Sequence, residues 1–177
     1  MTEDKEIINR VANSPLVTFN LEDYHLPGER CLIDIKEQLF QDLILREQEF
    51  RNFVRSNDWS QYQNKYVAIT CTADAVVPTW AYMLIAISIR PYARNFCFGT
   101  IEKLEEKLYE EALAAVDWSE FTGKKVVVKG CSKVQVPITA YVEAVRYLQP
   151  LVSSLMFGEP CSTVPLYKQV KNSVNNI

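Results

Sequence analysis

The feature that most constrains this chain is a pattern that occurs twice, 59 residues apart. Residues 58–99 and 117–158 each carry Asp-Trp-Ser, a short apolar stretch ending near a cysteine, and Val-Pro-x-x-Ala-Tyr at the opening of a helical pattern. A proline and a second apolar stretch closing on Phe-Gly follow. Trp59 matches Trp118, Pro78 matches Pro137, Tyr82 matches Tyr141, Pro91 matches Pro150 and Gly99 matches Gly158, all in one register. Strand, helix and strand in that order form a β-α-β unit, and two such units imply a parallel sheet with right-handed crossovers.

In the first copy, Lys65–Thr70 is a nearly continuous apolar run, the pattern of a strand covered on both faces. Pro78 suits the first turn of a helix, where its missing N–H costs nothing. The helix Thr79–Ile89 is apolar almost all round and is expected to be well buried. Asn95–Phe98 is the second strand. The second copy gives strand Lys125–Lys129, a helix from Pro137 to Leu148 and strand Ser154–Phe157. Between the copies, Leu104, Leu108 and Ala112 recur every four residues within Thr100–Val116, which predicts a surface helix crossing back over a sheet.

Two related halves fit best if the strands 66–70 and 125–129 are neighbours. Numbered by first appearance, the four core strands then lie in the order 2-1-3-4, with helices on both faces and a ligand position beyond the carboxyl ends between strands one and three. Residues 1–57 read as a small β-rich extension, with strands at Leu16–Leu21 and Arg30–Ile35, a turn at Pro27-Gly28 and a helix over Arg46–Ser56. A short helix around Ile7, Ile8 and Val11 and a frayed polar tail from Tyr167 to Ile177 complete a single α/β domain spanning 1–177, an ordinary length for one core.

The formal charge of −3, the isoelectric point near 5.3 and the absence of a Lys/Arg stripe argue against nucleic acid as a partner. No apolar run reaches the length of a membrane span. The acidic start, Met-Thr-Glu-Asp-Lys-Glu, does not resemble a signal peptide, so a cytoplasmic location is expected. Five cysteines, an odd number, argue against a disulfide framework.

Three of those thiols, Cys71, Cys131 and Cys161, follow the carboxyl ends of strands one, three and four. Adjacent strands lie about 4.8 Å apart, and thiolates around one zinc stand roughly 3.8 Å apart, so short loops suffice to gather them. Nearby helix N-termini favour the thiolate form. The expected metal set is Cys71, Cys131 and Cys161 with Asp74, while Glu159, His25, a water or a substrate are the other candidates for the fourth position. Thr72, Ser132 and Ser162 flank the cysteines, and their hydroxyls suit helix caps or bonds to a metal-bound thiolate. Zinc and an iron–sulfur cluster both accept thiolates. Cys31 and Cys97 lie inside strands and read as small buried hydrophobes. Two other readings stay open: a nucleophilic Cys71 or Cys131, for which the only histidine, His25, sits far off in sequence, and a set of inert buried thiols. No glycine-rich nucleotide motif is present.

Four words are more specific: Asp-Trp-Ser-Gln-Tyr (58–62), Ala-Asp-Ala-Val-Val-Pro-Thr-Trp-Ala-Tyr-Met (73–83), Lys-Gly-Cys-Ser-Lys (129–133) and Phe-Gly-Glu-Pro-Cys-Ser-Thr-Val-Pro-Leu-Tyr-Lys (157–168). Through them nearly the whole chain resembles a family of small bacterial proteins classed as a domain of unknown function. The resemblance implies no established activity; it implies an association with iron–sulfur cluster assembly, and so with assembly proteins as partners. The leading expectation is therefore a cytoplasmic metal- or iron–sulfur-binding protein acting in cluster assembly or metal handling. A thiol enzyme for sulfur transfer and an interaction module without metal are the alternatives.

Overall fold

A computed structural model describes residues 16–130 and 133–169. In chain order the elements are β1 (Leu16–Asn20), β2 (Arg30–Asp34), α1 (Glu47–Ser56), β3 (Tyr66–Thr70), α2 (Thr79–Ile89), β4 (Asn95–Phe98), α3 (Ile101–Ala114), β5 (Lys125–Lys129), α4 (Ile138–Leu148), β6 (Ser154–Glu159) and β7 (Ser162–Lys168). They form two compact units, one of residues 26–109 and one of residues 1–25 with 110–177. No described helix is long and apolar enough to cross a membrane.

The unit of residues 26–109 is built on a parallel sheet in the order β2-β3-β4, with Cys31 beside Val67 and Val67 beside Phe96. Tyr66, Val67, Ala68 and Ile69 are all buried. Val67 and Ile69 pack with Phe50 of α1 and with Ala81, Ile85 and Ile89 of α2, while Tyr66 and Ala68 pack with Leu104 and Leu108 of α3. Helices thus cover both faces of β3, which is why its sequence shows no polar alternation. Each buried Val, Ile or Leu contributes about 1.5–3 kcal/mol of transfer free energy.

The second unit has a mixed sheet in the order β1-β5-β6-β7. β1, β5 and β6 are parallel, and β7 runs antiparallel to β6. Val126, Val127 and Val128 are buried. Phe19 packs on Tyr24, Trp118 and Phe121 with ring centroids 4.9, 4.9 and 5.5 Å away, and Trp118 stacks on Tyr147 at 4.8 Å. Glu159-Pro160-Cys161-Ser162 makes the β6–β7 turn. Pro160 holds a negative φ, so the usual primed hairpin turns are closed to it. The left-handed residue sits instead at Gly158, φ +115°, where an added Cβ would meet the Ser162 carbonyl at 2.9 Å.

The repeated words have local structural causes. Asp58 and Asp117 each accept from the backbone N–H of the serine two residues on (3.0 and 3.1 Å) and from its hydroxyl (2.6 Å in both). Each caps one turn of 3-10 helix. The intervening tryptophan donates its indole N–H to a carbonyl five residues back, Trp59 to Val54 at 2.8 Å and Trp118 to Leu113 at 3.0 Å. The 3-10 turns, β3 and β5, α2 and α4, and β4 and β6 all begin 59 residues apart.

Three expectations are corrected. Residues 66–70 and 125–129 are not neighbours in one sheet of order 2-1-3-4; they lie in different sheets. The place beside each is taken by a strand from residues 1–57: β2 pairs with β3 over five residues and β1 with β5 over five. Second, the segment expected to fray at Tyr167 is in part β7, an edge strand, a position that tolerates Pro165. Third, α2 is not buried all round: Ala81, Ile85 and Ile89 are buried, but Met83 is 60% and Ile87 67% exposed. The proposed helix around Ile7 to Val11 lies outside the described residues.

Candidate functional site

The carboxyl end of the β2-β3-β4 sheet is organised by Asp34. Its carboxylate closes the turn after β2 by accepting from the Lys36 N–H at 3.0 Å, and it ties down the loop after β3 by accepting from the Thr72 N–H at 3.1 Å and the Thr72 hydroxyl at 2.5 Å. Burial alone would raise its pKa, but the hydrogen bonds from Thr72 and Lys36 outweigh it and hold the carboxyl below the ordinary range. Cys71 lies half-buried at this end, its thiol 3.9 Å from the Ala73 carbonyl. The Tyr82 hydroxyl has its pKa raised, first by burial and then by the nearby Cys71 and Asp34.

Beside this polar end, α2 and β4 enclose a cleft. Ile69, Thr79, Tyr82, Met83, Phe96 and Phe98 line a cavity of about 460 Å³. Tyr82 meets Phe98 edge-on, with ring centroids 5.1 Å apart and planes at 81°. Phe98 is 66% exposed, so the apolar surface continues out of the cavity over Phe98, Met83 and Ile87. A cavity of this size, apolar with few polar groups, is typical of binding sites, and an exposed cluster of large apolar residues is costly unless something covers it.

The thiols expected to form one centre are distributed otherwise. Cys71, Thr72 and Asp74 belong to the unit of residues 26–109; Cys161 and Ser162 belong to the β6–β7 hairpin of the other unit. Cys161 is exposed at the hairpin turn. Cys131 and Ser132 lie outside the described residues. The argument from consecutive strands therefore fails for Cys71, whose strand is not a sheet neighbour of the strands leading to Cys131 and Cys161. Among the described residues, no group of three or more His, Cys, Asp or Glu side chains is placed to hold a metal ion. Cys31 is half-buried in β2, its thiol pKa raised first by burial and then by its hydrogen bond to Glu29.

At the matching end of the second unit, Lys129 pairs with Glu159 at 2.9 Å and Glu22 accepts from the Lys133 N–H at 2.9 Å. Gly130 occupies the position matched by Cys71. A Cβ built on Gly130 would fall on the Tyr141 hydroxyl, 2.5 Å from Cζ and 2.7 Å from Cε1, so a larger residue there requires the Tyr141 ring to move. Tyr141 in turn meets Phe157 at 5.8 Å and 75°, the counterpart of Tyr82 on Phe98.

From the sequence Met83 and Ile87 fall in a helix expected to be well buried and Phe98 in a strand, so none of the three stands out as a surface residue. The signal was present: α2 carries more apolar residues than one buried face requires.

The family model described as Protein of unknown function (DUF2480) matches residues 5–169. Neither a curated protein nor a solved structure matches the chain. The chain belongs to the DUF2480 family of proteins of unknown function.

Proposed function

We propose that this protein is a binding module that docks a protein partner in the α2–β4 cleft of residues 26–109. The observation that carries this reading is the cavity of about 460 Å³ continuing into exposed Met83 and Ile87 of α2 and exposed Phe98 of β4. A small ligand would fill the cavity and leave Ile87 and the outer edge of Phe98 in water, whereas a protein partner covers both. The sparse polar groups, Thr79 and Tyr82, orient the partner rather than supply chemistry. The equal 59-residue spacing of elements supports reading the two segments as copies of one duplicated unit. The test is photocrosslinking in cells from Met83→p-benzoylphenylalanine, with Thr122→p-benzoylphenylalanine as a control at an exposed position outside the cleft. A discrete crosslinked product from position 83, absent from position 122, is expected; equal or no crosslinking from the two sites overturns the proposal.

One observation favours a second reading. β5 and β6, the strands that lead to Cys131 and Cys161, are paired neighbours with Val128 beside Phe157. That keeps a zinc or iron–sulfur role for those two thiols, with further ligands from a partner, as a proposal in cluster assembly or metal handling. Anaerobic purification beside a Cys131→Ser variant tests it: bound zinc or iron that falls in the variant supports it, and metal content unaffected by the substitution removes it.

A further inference from the structure

We infer that the occupant of the α2–β4 cleft is an extended segment of a partner protein that adds to β4 as an antiparallel strand, with apolar side chains at alternate positions and an acidic residue at its carboxyl end. This rests on the reading of that cleft as a docking site and adds the mode of binding and the chemistry of the partner.

The argument comes from comparing the two units element by element. β4 and β6 hold matched positions 59 residues apart, each parallel to the strand before it in its sheet. In the second unit the far side of β6 is covered by β7, which runs antiparallel and sets Val164 opposite Phe157 and Lys168 opposite Ser154. In the unit of residues 26–109, β4 is the edge of the sheet among the described residues. Phe98, the counterpart of Phe157, is 66% exposed against 41% for Phe157. Among the described residues the same edge is thus paired with the chain's own strand in one unit and has no paired strand beside the apolar cavity in the other. An open, flat edge with exposed aromatics is a template for strand addition.

The backbone has the right groups. Gly99 donates to the Ile69 carbonyl at 2.9 Å, so by the alternation of a parallel ladder Phe96 and Phe98 turn their peptide groups away from β3. Asn95 Oδ1 accepts from the Phe96 N–H at 2.8 Å, which leaves Phe98 as the position where a two-bond pair forms, as Phe157 faces Val164. The partner side chain opposite Phe98 enters the space between Tyr82 and Met83. Charge sets the direction. Just beyond β7, Gln169 donates to the Ser153 carbonyl at 2.9 Å; the position matched to Ser153 in the other unit is Arg94, which like Arg90 is exposed. A segment ending in Lys would be repelled there, and one ending in Asp or Glu is favoured.

The test uses a phage-displayed library of random segments of about eight residues, selected against the full chain and counter-screened on two variants. Phe98→Pro removes the outward N–H at a strand end where proline is tolerated, and Met83→Glu places a charge at the cavity while changing only an exposed side chain. Selected segments are expected to alternate apolar residues, to carry an acidic residue in their last positions, and to protect amides within 95–98 from hydrogen exchange. Both variants should weaken them by about tenfold or more, the size of losing one backbone hydrogen bond together with the Phe98 ring, or one apolar anchor. Segments that Met83→Glu weakens but Phe98→Pro does not would overturn strand addition and leave the docking site standing. Segments indifferent to both variants, or no selected segments, would overturn both. A concentration-dependent dimer abolished by Phe98→Pro would overturn the foreign partner and assign the edge to a second copy of this chain.

Discussion

Replacing Gly130 by alanine is expected to destabilise the protein, and the sign of the effect should reverse when Tyr141 is removed. An added Cβ would lie 2.5 Å from Cζ and 2.7 Å from Cε1 of Tyr141, where carbon atoms need about 3.5 Å or more. The ring must retreat by more than about 1 Å, since the hydroxyl overlaps more than Cζ does, and its edge-on packing on Phe157 is disturbed with it. Overpacking of this kind costs about 1–3 kcal/mol, and the aromatic pair adds about 0.5–1.5 kcal/mol. Gly130 does not adopt a positive φ, so alanine itself is tolerated by the backbone and returns about 0.4–1 kcal/mol by restricting the unfolded chain. The net loss is about 1–3 kcal/mol, or roughly 2–12 °C in melting temperature for a chain of this size. In a Tyr141→Ala background the steric term vanishes, and Gly130→Ala should be neutral or stabilising. Urea unfolding of the four proteins of this double-mutant cycle, followed by circular dichroism, measures both arms. Equal destabilisation in the two backgrounds would refute the close approach, as would no loss in the unaltered background.

Ile85→Ala, at a fully buried position between α2 and β3, should cost about 2–5 kcal/mol, while Met83→Ala on the exposed face should stay within about 0.5 kcal/mol in the same denaturation assay. Asp34 titrates below its unfolded value because Thr72 and Lys36 hydrogen-bond its carboxylate. Its contribution is therefore present above about pH 4, the unfolded aspartate range, and is lost as pH falls through the folded value, so Asp34→Ala should flatten the acid limb of the stability profile. Phe98→Pro should cost no more than about 0.5–1.5 kcal/mol, the worth of the Tyr82 ring contact, since the Phe98 N–H does not serve β3, whereas Cys97→Pro, at the adjacent inward-facing position, should cost more and lower the melting temperature further.

The local structure was largely legible in the sequence, and the long-range pairing was not. α2 spans Thr79–Ile89 and β4 spans Asn95–Phe98, as the apolar runs and bounding prolines indicate. The sheet order was misread because a strand such as Tyr66–Thr70 announces that both its edges need neighbours without naming them. Arg30–Asp34 and Leu16–Asn20 supply those neighbours from a stretch that reads as an extension. Their own correspondence is faint: Asn20 and Asp34 each cap a 3-10 turn, followed by buried Leu21 and Ile35, with few identities between the two words. β7 was hidden by Pro165 and by hydroxyl residues that resemble a loop. The cleft was hidden for the opposite reason: an all-apolar helix is taken as buried, and only the packing shows that Met83 and Ile87 face outward. Cys71 follows β3 and Cys161 follows β6, but which strands adjoin is a property of the sheet order, so the company of the thiols could not be read from the chain.

The three methionines allow the most direct measurement. Met83 borders the α2–β4 cleft, Met156 lies on β6 of the other unit, and Met1 lies outside the described residues. Carbon-13 labelling of the methionine methyl groups gives one resonance for each. Titrating the full chain with a selected extended segment should shift or broaden the Met83 signal. A segment that binds while Met83 stays unmoved would contradict docking in the α2–β4 cleft.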